Sequence, residues 1–175
     1  AIMCGGSCTV NINGGTIENC YSKDIGGAIA LRSGTYTFNM TGGTIKNCTS
    51  VNGGGIYIAP IKLVDGTYTQ VKATINMSGG LIESCKAINP SGTNSNGGGI
   101  YLEGTVAGSE LRMTGGTIHK CSAYTKGGGL YVSNSNTHTY LTKGNIYECT
   151  AAGATDGDGV GRGGGVAFVG YTTGE

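Results

Sequence analysis

The sequence predicts an all-β protein, a right-handed parallel β-helix solenoid with three sheets and about five coils. Three observations support this fold class. A short motif that ends in cysteine recurs five times, apolar residues alternate with period two, and no window carries the apolar period of a helix. Crossovers between parallel strands are nearly always right-handed, and this sets the predicted hand.

The cysteine motif defines the repeat. It reads GGTIENC at 14–20, GGTIKNC at 42–48, GGLIESC at 79–85, GGTIHKC at 115–121 and KGNIYEC at 143–149. Successive cysteines are 28, 37, 36 and 28 residues apart. A four-stranded propeller blade needs about 40–50 residues, more than the shortest copies contain. Each copy is therefore predicted to be one coil whose strands stack on those of the next, about 4.8 Å away.

Two more runs complete each copy. The second run is GGAIAL at 26–31, GGGIYI at 53–58, GGGIYL at 97–102, GGGLYV at 127–132 and GGGVAF at 163–168. The third run is TVNIN at 9–13, TFNMT at 37–41, TINMS at 74–78, ELRMT at 110–114 and HTYLT at 138–142. Alternate residues of each run are predicted to face the core. Glycines fit at the corners, where a positive φ or a close backbone approach excludes a β-carbon.

The repeats extend over the whole chain, so 1–175 is predicted to be a single domain. Extra residues at 59–72, 86–96 and 150–162 are predicted to be loops, and the two prolines, Pro60 and Pro90, lie in the first two. Solenoid ends need capping structures. No cap is recognisable here, so we expect an uncapped window from a longer repeat region of a larger parent chain.

Composition excludes several classes of protein. The 36 glycines do not follow a collagen period, and 38% hydrophobic residues are too many for a disordered chain. A net charge of +1 gives no electrostatic reason to expect nucleic acid as a partner. No apolar run reaches the roughly 18 residues of a spanning helix, so no membrane insertion is expected in this segment.

The repeated cysteines are predicted to form one buried, mostly reduced column. They are Cys20, Cys48, Cys85, Cys121 and Cys149. Parallel side chains in stacked coils give poor disulfide geometry. The spacing of Cys4 and Cys8 is close to that of one ligand pair of a zinc site, but no second pair accompanies them. Cys4 also aligns with the apolar Leu31. No metal and no cofactor are therefore predicted.

No catalytic residues are predicted. One outward position holds Glu18, Lys46, Glu83, His119 and Tyr147 in successive copies, which indicates a cross-strand charge row. His119 and His138 have no serine, cysteine or carboxylate at a suitable position. Asp156 and Asp158 are half of a calcium loop; a glycine-rich corner is favoured, and calcium binding stays open.

Three tyrosines, Tyr57, Tyr101 and Tyr131, are predicted to stand outward in a column. Two interpretations remain open: an aromatic ladder that stabilises an exposed sheet, or a ligand-binding platform for a sugar or a protein partner. The insertions at 86–96 and 150–162 should lie two coils apart at one edge beside this column. The binding site is therefore predicted at that edge and on the tyrosine sheet.

In these repeated motifs the chain resembles the β-helix repeats of microbial cell-surface proteins, and it is similar to the chlamydial polymorphic outer-membrane proteins. The residues that carry the resemblance are Gly26-Gly27-Ala28-Ile29 and its variants at 53–56, 97–100, 127–130 and 163–166. The resemblance implies a pectin-lyase-like fold and an exported surface protein, such as an adhesin or a passenger stalk. It implies no catalytic residues for this chain.

Three functions follow as hypotheses. The first is a non-enzymatic extracellular module at the cell surface, an adhesin or stalk segment whose partner is a host glycan or a surface protein. The alternative is a carbohydrate-active enzyme of the pectate-lyase-like type, which would require a groove with clustered carboxylates and an arginine. The third is an ice-binding protein, because Thr37, Asn39 and Thr41 begin a flat polar face; Glu110 and Arg112 interrupt this face.

Overall fold

The computed structural model describes residues 2–91, 94–103, 109–133, 137–153 and 162–169. These residues form strands and turns and contain no helix, which confirms the all-β prediction. A helix able to cross a membrane is accordingly not found in these ranges.

The strands of the described residues are numbered in chain order. They are β1 Ile2–Cys4, β2 Cys8–Ile12, β3 Thr16–Glu18, β4 Ile29–Arg32, β5 Tyr36–Met40, β6 Thr44–Lys46, β7 Thr49–Ser50, β8 Ile56–Ala59, β9 Ile61–Val64, β10 Thr67–Gln70, β11 Ala73–Glu83, β12 Lys86–Ala87, β13 Ile100–Glu103, β14 Ser109–His119, β15 Ser122–Ala123, β16 Leu130–Ser133, β17 Thr137–Tyr147, β18 Thr150–Ala151 and β19 Val166–Val169.

Nearly all of these strands belong to three parallel sheets. The first has the order β1-β4-β8-β13-β16-β19, the second β2-β5-β11-β14-β17 with β3 and β6 beside it, and the third β7-β12-β15-β18. The chain passes from the first to the second to the third sheet and then repeats the circuit. Each strand pairs with its counterpart from the neighbouring repeat, an arrangement consistent with a β-solenoid.

The structure corrects the assignment of runs to sheets. The third run and the cysteine motif lie in one sheet, because β11, β14 and β17 each continue through both. In β11 the register shifts between Met77 and Leu81, around a Gly-Gly pair, so the strand bends without losing its partner. The third sheet consists of two-residue strands that follow Cys48, Cys85, Cys121 and Cys149. Two of these strands, β12 and β18, lie where the sequence predicts loops.

The insertion at 59–72 is also not the loop predicted from the sequence. Strands β9 and β10 form an antiparallel hairpin within it. Its turn contains Asp65 and Gly66, with φ values of 48° and 77°. An Asp-Gly pair with both residues at positive φ is the favoured two-residue hairpin turn, a signal present in the sequence.

The prediction that alternate residues of each run face the core is confirmed for most of the repeat. Ile29, Leu31, Ile56, Ile58 and Leu102 are fully buried in the main core, and the inward residues of the third run join them. Those third-run residues are Phe38, Met40, Ile75, Met77, Leu111 and Met113.

Two predicted core residues are exposed instead, Leu141 at 44% and Phe168 at 57%. They belong to β17 and β19, the outermost strands of their sheets among the described residues, so no described coil covers them.

Two kinds of corner turn the chain. At the glycine corner, a β-carbon on Gly99 would lie 2.6 Å from the Gly129 carbonyl oxygen, so only glycine fits. At the cysteine corner the residue before each cysteine is left-handed although it is not glycine. These residues are Asn19, Asn47, Ser84, Lys120 and Glu148, with φ between 51° and 56°. The glycine corner is predicted from the sequence, and the left-handed cysteine corner is not.

Candidate functional site

The three predicted site tyrosines lie side by side in the first sheet. Tyr57 pairs with Tyr101, and Tyr101 pairs with Tyr131, in β8, β13 and β16. The ring centroids of Tyr57 and Tyr101 are 5.4 Å apart in an edge-to-face contact, and those of Tyr101 and Tyr131 are 4.8 Å apart. The aromatic column predicted from the repeat is therefore present.

The predicted exposure of this column is wrong. Tyr57, Tyr101 and Tyr131 are 5%, 7% and 5% exposed. They form a second apolar cluster with Ala59 and Ala167, separate from the main core. The rings thus point away from the main core, as the alternation predicts, but they cover one another and leave no open stacking face for a sugar.

A polar cleft opens beside the first ring of the column. It has a volume of about 380 Å³. Its lining residues are Asp24, Ile25, Arg32, Asn52, Tyr57, Ala59, Ile61, Gln70 and Glu103. Ile61 and Gln70 come from the β9–β10 hairpin, so the hairpin forms one wall of the cleft. Tyr57 is the one predicted site residue among these lining residues.

Strand register places the charged groups of the cleft. Arg32 in β4 pairs with Ala59 in β8. Tyr101 and Leu102 of β13 pair with Tyr57 and Ile58 of β8. The next residue of β13, Glu103, therefore lies beside Ala59 on the side opposite to Arg32. Arg32 and Glu103 therefore stand two strand spacings apart, about 10 Å, with a small alanine between them. This gap forms the floor of the cleft.

Hydrogen bonding connects the cleft to the tyrosine cluster. The Tyr57 hydroxyl donates to the Glu103 carboxylate. Burial and this interaction with Glu103 raise the pKa of Tyr57 above its ordinary value, and Arg32 opposes the rise. Among the described residues, no ion pair joins Arg32 to Asp24 or to Glu103. The guanidinium and both carboxylates can therefore bind a ligand without breaking an ion pair between them.

The sequence alone does not bring Asp24, Arg32 and Glu103 together in one cleft. The sequence contains a partial signal. Arg32, Ala59, Glu103 and Ser133 each follow directly after a second run, so they occupy one position of the repeat. The hairpin wall and the approach of Asp24 depend on tertiary structure.

The outward charge row is confirmed. Glu18 pairs with Lys46, Lys46 with Glu83, Glu83 with His119 and His119 with Tyr147. Lys46 Nζ lies 2.9 Å from the Glu18 carboxylate. The prediction that His119 lacks a carboxylate partner is wrong, because its two ring nitrogens lie 2.9 Å from Glu83 and 3.2 Å from Glu148. Its ring also stacks on Tyr147, 4.2 Å away.

The polar face of the second sheet is held by amide hydrogen bonds. Asn39 donates to Asn11 at 2.8 Å, and Asn76 donates to Asn39 at 2.9 Å. Arg112 and Tyr140 continue this row, with the guanidinium 4.2 Å from the ring centroid. The interruption of the polar face predicted from the sequence is therefore present.

The cysteine column is confirmed as five free thiols, and a disulfide is present elsewhere. Cys48, Cys85 and Cys121 are buried, whereas Cys20 and Cys149 are half-buried. Cys4 and Cys8 form a disulfide, which the packing interpretation of Cys4 missed. Both also pack against the core. In the described part of the chain, no group of three or more histidine, cysteine or acidic residues is suited to hold a metal ion.

The structure describes the residues that flank the predicted binding edge. Lys86–Ala87 and Thr150–Ala151 lie in the third sheet with Ser122–Ala123 between them, so the two insertions start two coils apart as predicted. Residues 92–93 and 154–161 lie outside the described residues. Asp156 and Asp158, for which the sequence leaves calcium binding open, are among them.

Comparison of the chain with known protein families, with curated proteins and with solved structures finds no match. The cleft, the tyrosine column and the thiol column are therefore interpreted from their own chemistry.

Proposed function

We propose that this chain is a right-handed parallel β-helix of three sheets and about five coils. Constant parallel pairing and the fixed order in which the chain visits the sheets support this fold. The hand follows from the strong preference of parallel crossovers. Such a rigid scaffold keeps side chains from different coils in constant register, as in the cleft.

The proposed function is a non-enzymatic surface module that binds carbohydrate through the cleft. The observation that carries this function is the placement of Arg32, Asn52, Gln70, Asp24 and Glu103 around one cavity beside Tyr57. Amide, carboxylate and guanidinium groups match the donors and acceptors of sugar hydroxyls. A cavity of this volume is at the small end of ligand sites and suits roughly one or two sugar units. The partner is proposed to be a host glycan or a glycan-bearing surface protein.

An extracellular location at the cell surface belongs to the same proposal. The Cys4–Cys8 disulfide supports it, because disulfides persist mainly in oxidising compartments. Neither a nucleic acid nor a bilayer is proposed as a partner, since the formal net charge is only +1.

A glycan array followed by calorimetry with the best-bound oligosaccharide tests the proposal. Arg32→Gln and Glu103→Gln should each weaken binding about tenfold, the loss of one charge-assisted hydrogen bond. Arg112→Gln is the matched control, because this arginine lies on another sheet. Binding that is unchanged in both cleft variants, or the absence of glycan binding by the parent protein, would overturn the proposal.

A carbohydrate-active enzyme is the second candidate function. The presence of Asp24, Glu103 and Arg32 in one cleft favours it, because two carboxylates are the usual groups for acid–base work on glycosidic bonds. Incubation with soluble polysaccharides should then release new reducing ends, and Asp24→Asn or Glu103→Gln should abolish the release. Binding without any release would leave the non-enzymatic module as the better proposal.

A further inference from the structure

The cysteine column has a geometry that the proposed carbohydrate site does not use. Each of its five thiols follows a left-handed residue, and this corner turns the side chain toward the core. Within each corner the thiol donates to a carbonyl two residues earlier, as Cys48 does to Lys46 at 3.2 Å. Cys85, at the centre, is fully buried.

Cysteines of neighbouring coils stack in register along the column. The Lys86 amide donates to the Cys48 carbonyl and the Ser122 amide donates to the Cys85 carbonyl, each at 2.9 Å. The strands that carry them are about 4.8 Å apart. A disulfide needs sulfurs about 2.05 Å apart with a dihedral near 90°, which parallel side chains do not provide. The five residues are accordingly free thiols.

The same spacing suits a metal ion held between two sulfurs. A zinc–thiolate bond is about 2.3 Å long, and with bonds of about this length a linear sulfur–metal–sulfur unit spans about 4.6 Å, close to the coil spacing. Soft cations such as Cu(I) prefer thiolates, and a two-coordinate ion needs only a pair of them. We propose that the cysteine column binds a soft monovalent cation, Cu(I) or Ag(I), between the thiolates of adjacent coils.

The chemistry balances without an oxidant or a reductant. Two S–H bonds break, two sulfur–metal bonds form, and two protons pass to solvent for each ion bound. The metal stays in its +1 state. The resulting unit carries one negative charge.

Silver titration of the folded protein, with the Cys4–Cys8 disulfide intact, tests the inference. X-ray absorption at the silver edge should show two sulfur neighbours, and about two protons should be released per ion, as for thiols deprotonated by metal binding. One sulfur per silver, one proton per ion, or unfolding upon titration would overturn it.

Two double variants with three column thiols each separate bridging from simple thiol binding. Cys20→Ala/Cys149→Ala keeps three adjacent thiols and should retain two sulfurs per silver. Cys48→Ala/Cys121→Ala leaves three thiols that are never adjacent, and proton release should fall to about one per ion. Equal coordination in the two variants would overturn the inference. If the second variant does not fold, the coordination number in the unaltered protein still decides.

Discussion

The hydroxyl of Tyr57 donates a hydrogen bond to the carboxylate of Glu103, one coil further along the first sheet. Tyr57 is 5% exposed and its ring packs on Tyr101, whereas Glu103 lines the cleft. This bond connects the buried tyrosine cluster to the candidate site, so a substitution in either one should affect the other.

Tyr57→Phe tests this connection. The variant keeps the ring and removes the donor to Glu103, so the free energy of unfolding should fall by about 1.5–3 kcal/mol, as for hydrogen bonds to charged groups. Tyr21→Phe is the control, because Tyr21 is 71% exposed and should change stability little. Urea denaturation measures both. Equal stability of the two variants would contradict the connection.

Tyr101→Ala should strongly destabilise the protein. Its ring lies between those of Tyr57 and Tyr131 and is 7% exposed, so truncation leaves a cavity. The expected loss is about 3–5 kcal/mol, typical of buried aromatic residues. Tyr101→Phe, which loses only the contact with the Ser133 hydroxyl, should cost much less. A loss below about 1 kcal/mol for the alanine variant would show that the ring is exposed.

Alkaline pH should destabilise the fold through its buried phenols. Burial raises the pKa of Tyr36 to about 12, against about 10 for an ordinary tyrosine. Below pH 10 both folded and unfolded chains hold this proton. Between about pH 10 and 12 the unfolded chain loses it first, so stability falls as the pH rises. Urea denaturation across this range should show a shallower fall for Tyr36→Phe, and parallel curves would contradict the assignment.

Thiol counting should separate the disulfide from the column. Unfolded protein without reductant should give five reactive thiols, and with reductant all seven cysteines should react. Cys8→Ser should raise the count without reductant to six by freeing Cys4. Fewer than five thiols in the unaltered protein would mean that the column is cross-linked.

Gly99→Ala should prevent close stacking of the first sheet. The added β-carbon would lie 2.6 Å from the Gly129 carbonyl oxygen and 2.9 Å from a methyl of Ile118. Overpacking of this kind costs about 1–3 kcal/mol or more. Gly14→Ala is the matched control, because a β-carbon there meets no atom within 4 Å. Thermal unfolding compares the two, and equal midpoints would contradict the close approach.

Much of the repeat can be predicted because parallel stacking makes each coil the template of the next. The cysteine column, the tyrosine column and the row from Glu18 to Tyr147 all follow from this rule, and the strand pairing confirms their register. The third sheet does not follow from it, because two-residue strands such as β7 carry no apolar alternation.

The inward or outward direction of a side chain is local information, and the sequence determined it by alternation with period two. Exposure is not local, because it depends on what packs against the outer face of a sheet. Tyr57, Tyr101 and Tyr131 point away from the main core as predicted, yet neighbouring rings and small residues bury them. The cleft likewise needs Arg32 and Glu103 from different coils and a hairpin wall. The sequence therefore determined the repeat, its register and its column of five thiols, whereas the tertiary structure decided the Cys4–Cys8 disulfide, which outward groups meet and which remain open to a ligand.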